Sequence, residues 1–365
     1  VQRLRYVTPV IPEIYPYFVQ RNLSMRLYSR LLALCLFLPA LAAHAEFLPG
    51  LYRVSEPLTS QMPPEQARAM QQAFDTLVLR LTGDVNAASN PALAELRKDP
   101  QQLVSQYGFQ DNSLQVDFDP RAVDSSLRQA GVALWGPNRP SILVWWLNQT
   151  VDGATLVGDG QASAQTLRNA AQHRGLPLLL PLADLQEQLA ATPQALAGPQ
   201  PDGLLEVSQR YAADALLAVN AVEENAQWRA SWNLWLGESV EQGVATGQDP
   251  AGLADAVMLQ INQRLAPRFV LAAGSSQSLT LIVEGNDLAR FAELERLLEP
   301  LGARLIAVQG GQLTYRVDAS AEQLRAQLGL LRLQEVSAQA VDPQAIASTE
   351  VAAPQPTADV LTFRW

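Results

Sequence analysis

Cysteine, histidine and lysine are scarce in this chain: Cys35 is the sole cysteine, His44 and His173 are the two histidines, and Lys98 is the only lysine among 365 residues. A lone cysteine excludes an internal disulfide and a cysteine metal cluster. With histidine so rare, a Ser-His-Asp triad or a histidine metal site must use His173. Lysine chemistry would have to pass through Lys98, and the preference for arginine reads as base composition of the gene. Charged residues are also few, at 17%. The chemistry left open is that of carboxylates, hydroxyls and arginine.

Long apolar runs are equally rare, and the one that stands out is MRLYSRLLALCLFLPALAAHA, residues 25–45. Arg26 and Arg30 form a basic start, Leu31 to Leu38 an unbroken apolar core, and Ala43-His44-Ala45 a small-x-small pattern. These are the three parts of a secretory signal peptide, with cleavage expected between Ala45 and Glu46. Its core, roughly a dozen residues, is short for a membrane span. An uncleaved membrane anchor is the alternative. Residues 1–24, rich in proline and aromatic residues and without a period, read as an upstream-extended gene start or a disordered extension. Cys35 follows Leu34 where a lipoprotein signal wants a small residue, which argues against lipidation.

Removing residues 1–45 would take away Cys35, His44, five arginines and one glutamate. The remainder holds 21 basic and 35 acidic residues, a net charge of −14 against −10 for the whole chain. That sign argues against nucleic acid and anionic lipid as partners. At 48% hydrophobic the product is expected to be globular, and no later apolar run approaches the roughly 20 residues of a membrane helix. The expected compartment is the periplasm.

An α+β class is expected, with mixed α/β domains followed by a ferredoxin-like βαββαβ domain. In residues 46–140, a strand at Tyr52 to Val54 precedes a helix opened by Pro63 and Glu65. Its inward face would be Ala67, Met70, Phe74, Leu77 and Leu81, and Gly83 stops it. A second helical stretch is predicted from Leu93 to Tyr107. SLQVDFD alternates as a strand, with Asp117 and Asp119 facing away from Leu114, Val116 and Phe118, and Arg121 to Ala130 returns to helix.

Residues 141–272 open with a strand from Ser141 to Asn148 that is apolar on both faces, the mark of a central strand. GATLVGDG adds a neighbouring strand, Ala162 to His173 a helix, and LPLLLPL a buried strand. Asp184 caps a short helix. ATPQALAGPQPDG is read as a loop, Leu204 to Ala213 as a helix and ADALLAVNAV as a strand. WRASWNLWL then places three tryptophans in nine residues. Trp235 falls on the polar side, either as a partner-binding anchor or packed beneath a helix from Gly252 to Leu265. His173, just before Gly175, reads chiefly as a cation at a helix C-terminus.

Residues 277–340 carry the clearest pattern. SLTLIVEGN is a strand, and Asp287 caps a helix with Leu288, Phe291, Leu294 and Leu298 inward. A hairpin turns at Gly310-Gly311, Ala321 to Leu328 is helical, and LRLQEVSAQ is a fourth strand. This order is the split βαββαβ motif, which hosts many functions. Residues 341–365 form a flexible tail ending in VLTFRW, expected to dock as a strand on a domain edge of this molecule or a partner. Trp365 is thus a second candidate partner-binding residue.

Two resemblances rest on short segments of the chain. The helix ending in RGLP and the run RYAADALLAV make the middle unit similar to α/β domains of envelope-assembly proteins, such as the N-terminal domain of the Tol-system propeller protein and the curli-secretion lipoproteins. LVLRLTGD, LVWWL, RGLPLLLPLADL and RYAADALLA, across Tyr52 to Leu236, resemble an exported proteobacterial family, domain of unknown function 2066. That resemblance implies a fold and a compartment, and no catalytic residues.

No phosphate loop, metal cluster or nucleophile elbow is present in the sequence, so no catalytic residue, metal ligand or cofactor is assigned. The leading expectation is a non-catalytic periplasmic protein that binds or helps assemble another envelope protein. A hydrolase using Asp152, Asp159, Glu223 or Glu224 is one alternative, and a small-molecule carrier with a tryptophan-lined pocket another. Nothing in the sequence specifies an oligomeric state.

Overall fold

A computed structural model describes residues 50–110, 112–270, 277–336 and 360–365. The signal segment with Ala43, Ala45 and Glu46, the residues before it, and the tail up to residue 359 lie outside the described residues. The class is α+β.

The first sheet is antiparallel in the order β1-β3-β2, from β1 (Arg53–Pro57), β2 (Val104–Gln110) and β3 (Ser113–Phe118). Helix α1 (Pro63–Thr82) lies on one face, burying Met70, Phe74, Leu77 and Leu81. Ala69 and Ala73 complete that stripe, whereas Ala67 is exposed. Gly83 ends the helix in the left-handed region at φ 70°, its N–H donating to the Leu79 carbonyl. The predicted helix from Leu93 to Tyr107 forms only as helix α2 (Ala94–Lys98) and a 3-10 turn at Pro100–Leu103. Pro100 interrupts it, and Val104 onward gains more by pairing with β3. Helix α3 (Pro120–Gln129) follows, capped by the Asp119 carboxylate.

The second sheet runs β5-β4-β7-β8-β9, with β6 alongside β4. Its strands are β4 (Ile142–Thr150), β5 (Gly153–Leu156), β6 (Leu178–Leu179), β7 (Ala215–Glu224), β8 (Gln227–Leu236) and β9 (Ser239–Gly247). β4 is internal, parallel to β6 and β7. β6 keeps two residues of the predicted strand because Pro177 and Pro181 flank it without N–H groups. Helices α4 (Ala162–Arg174) and α8 (Pro250–Phe269) cover one face, on Val144, Trp146 and Trp232. The other face lies under the short helices α5 (Leu185–Ala190), α6 (Pro193–Ala197) and α7 (Asp202–Ser208). The predicted loop ATPQALAGPQPDG therefore contains a helix, because the Thr192 hydroxyl caps Ala195 and Pro193 suits a first turn.

The third sheet has the order β11-β12-β10-β14-β13. It contains β10 (Gln277–Glu284), β11 (Arg304–Gln309), β12 (Gln312–Ala319), β13 (Gln334–Glu335) and β14 (Val360–Arg364). Helices α9 (Leu288–Leu298) and α10 (Ala321–Leu330) close over its apolar side. Leu288, expected inward, is 84% exposed at the helix start. The C-terminal strand β14 lies parallel to β10 and separates it from β13. A plain split motif is thereby widened: the predicted fourth strand shrinks to two edge residues, and Leu361 and Phe363 fill its place in the core.

Candidate functional site

Where the outer face of the first sheet approaches α4 and the start of α8, a cleft of about 840 Å³ opens. Alternation along β1 turns Val54 and Glu56 toward α1 and leaves Arg53, Ser55 and Pro57 to line the cleft. Gln115 and Ser113 of β3 continue this wall, and α4 supplies the opposite one through Gln165, Asn169 and Gln172. With Gln110, five carboxamides face the space, and among the described residues no phenylalanine, tyrosine or tryptophan does. Each carboxamide both donates and accepts hydrogen bonds and carries no charge.

His173 sits at the inner end. Its Nδ1 is 2.8 Å from Asp255 Oδ1 on α8, and its Nε2 is 3.4 Å from Glu56 Oε1 on β1. Thr76 of α1 donates to the same Glu56 oxygen at 2.5 Å, and Arg174 forks onto Asp255, with Nε 2.8 Å from Oδ1. Burial disfavours charge on His173, but the bonds to Asp255 and Glu56 outweigh it and raise the imidazole above its ordinary value. Burial also works against the Asp255 carboxylate, yet His173 and Arg174 hold it at about 2. A ring between two carboxylates satisfies both as an imidazolium, which leaves neither nitrogen free as a base. The cluster is built as an ionic clamp between α4, α8 and β1.

Two buried arginines support the clamp from behind. Arg80 of α1 is 2% exposed; its Nη1 donates to the Leu51 and Arg53 carbonyls at 2.8 Å, and its Nε and Nη2 to the carbonyl of His173. Arg139, wholly buried, donates to the carbonyls of Gly175, Arg80, Trp135 and Gly136. Its guanidinium lies 4.1 Å from the centre of the Trp135 ring, which stacks on Phe269. Burial lowers Arg80 to about 10 and Arg139 to about 9, so both stay charged at neutral pH. Gly175 has φ 69°, and a Cβ there would fall 2.3 Å from Arg80 Cγ. The helix end with His173 and the arginine pair are thus fitted to one another.

The carboxylates considered for hydrolysis are distributed elsewhere. Asp152 is exposed in the β4–β5 turn, Asp159 pairs with Arg168, and Glu223 and Glu224 are exposed at the end of β7. None of them lines the cleft. Asp119 caps α3, and Asp117 pairs with Arg53, whose hydrogen bond holds the carboxyl below its ordinary value. Among the described residues, no group of three or more His, Cys, Asp or Glu side chains is placed to hold a metal ion.

Trp235 is 7% exposed and donates to the Pro199 carbonyl, packed with Leu196 and Leu204 on the face opposite α8. It does not lie beneath α8, which covers Trp232 instead, and its burial leaves little surface to present to a partner. Trp365 donates to Asn286 Oδ1 at 3.1 Å, and the Arg290 guanidinium lies over its ring. Both indoles engage this chain. Sequence reading missed Glu56, Arg80, Arg139 and Asp255; the available signal was Arg80 within the apolar run LVLRLTGD.

A family described as a domain of unknown function (DUF8605) matches residues 45–136. The matched stretch includes the β1-β3-β2 sheet and α1, one wall of the cleft, and it is an uncharacterised family. No curated protein and no solved structure matches the chain.

Proposed function

We propose that this is an exported, non-catalytic binding protein of the cell envelope, whose cleft receives an extended peptide segment of another envelope component. The observation that carries this reading is the lining: five carboxamides with hydroxyls, charged groups confined to Arg53, Arg80 and the His173–Asp255 end, and no phenylalanine, tyrosine or tryptophan among the described residues. Such groups complement the alternating N–H and C=O of a peptide backbone, whereas a sugar ring favours an aromatic face to stack on. The clamp at the inner end engages its own charges internally, which supports binding over turnover. Residues 25–45, with the proposed cleavage between Ala45 and Glu46, support export, and the proposed compartment of the mature protein is the periplasm. The resemblance to the exported proteobacterial family, domain of unknown function 2066, agrees with that compartment.

In-cell crosslinking of the mature protein, followed by identification of captured partners, tests the reading. Asn169→Trp, which fills the cleft, is expected to abolish capture of a specific envelope protein, while Glu223→Gln leaves it intact. Capture that is indifferent to Asn169→Trp removes the cleft from the proposal. A mature terminus other than Glu46, found by N-terminal sequencing, overturns the export argument.

A further inference from the structure

The third sheet ends in an open edge, and we infer that this edge takes an added strand from a partner segment that alternates apolar and acidic residues. β11 is the last strand of the sheet and is bonded to β12 alone. Its outward N–H and C=O groups meet no backbone partner among the described residues. Leu305, Ile306 and Val308 are 42%, 52% and 61% exposed, an unusual concentration on six residues.

The charges specify the occupant. Arg304 stands directly opposite Arg316 of β12, both exposed, and like charges so placed repel. Neither forms an ion pair among the described residues, although the chain holds ten more acidic than basic residues. Asp318, two residues along β12, pairs across to Ser278 of β10 rather than to β11. A carboxylate from outside relieves this repulsion. A second copy pairing β11 with β11 does not, because RLIAVQ contains no acid.

Register sets the rest of the pattern. Leu305 and Val308 lie opposite Tyr315 and Leu313, on the side covered by helices, while Arg304 and Arg316 lie on the open side. An added strand therefore presents apolar residues to one side and carboxylates to the other. The bulge between Leu305 and Ala307 twists the edge and disfavours indiscriminate pairing, so side-chain match decides what binds.

Fluorescence anisotropy of the full chain tests this with two labelled peptides, one alternating valine and glutamate and one alternating valine and lysine. The glutamate peptide is expected to bind and the lysine peptide not. Arg304→Glu with Arg316→Glu should weaken the first about tenfold and create binding of the second, with the circular dichroism spectrum unchanged. Arg304→Gln with Arg316→Gln should weaken the first without creating the second. Asn169→Trp, in the separate cleft, should leave both results as they were. The inference is overturned if the glutamate peptide fails to bind, if both peptides bind equally, if the arginine substitutions have no effect, if filling the cleft removes binding, or if the chain self-associates through β11.

Discussion

Arg139 and His173 illustrate two ways in which a single charged side chain holds this molecule together. Arg139 has carbonyls rather than carboxylates as partners, so its removal leaves buried acceptors without donors. Arg139→Met is expected to cost at least about 3 kcal/mol in urea unfolding. His173 acts through its charge. Because its folded value is raised, the stability it contributes is fully present below the unfolded value of 6.5 and is lost as pH rises through the folded value. Asp255, held at about 2, contributes above its unfolded value of 3.8 and loses that contribution only as pH falls toward 2. Wild type should therefore have a lower urea midpoint at about pH 8, below the Arg139 value, than at about pH 6, and His173→Gln should flatten that difference. An unchanged pH profile in the variant would mean that His173 carries none of the pH-dependent stability.

Among elements, α1 and β14 depend most on distant neighbours. A Cβ at Gly83 would lie 2.1 Å from the Ala266 Cβ of α8, at a left-handed φ. Gly83→Ala should cost about 1–3 kcal/mol in unfolding free energy. Phe363 of β14 is 2% exposed in the core beneath α9 and α10. Phe363→Ala is expected to cost about 4 kcal/mol, measured by thermal or urea unfolding; a cost below about 1 kcal/mol would mean that β14 is not part of the stable sheet. Most elements were legible locally: Gly83 stops a helix, Asp184 and Asp287 cap helices, and Gly310-Gly311 turns a hairpin. The insertion of β14 was not, since alternation in VLTFRW states that a strand forms and not which neighbour it joins.

At the scale of the molecule, Arg80 and Arg139 join the first sheet and α1 to the α4–β6 corner, while Gln323 of α10 donates to the Phe269 carbonyl at the end of α8. Described residues from all three sheets are thus tied into one compact unit. Urea unfolding of the wild type should follow one transition by tryptophan fluorescence and circular dichroism, and Arg80→Met with Arg139→Met should split it in two. Coincident probes in the double variant would show that the arginines are dispensable to this coupling. The cleft belongs to the same scale. Gln115 and Asn169 look like ordinary solvated positions in their own elements, and only packing of the first sheet against α4 makes them face one space. Sequence alone determined the α+β class, the central strand β4 and the scarcity of catalytic groups, because composition, period and capping are local properties. Tertiary structure decided the His173 clamp, the burial of Trp235, the position of β14 and the open edge of β11, because each depends on which residues far apart in the chain become neighbours.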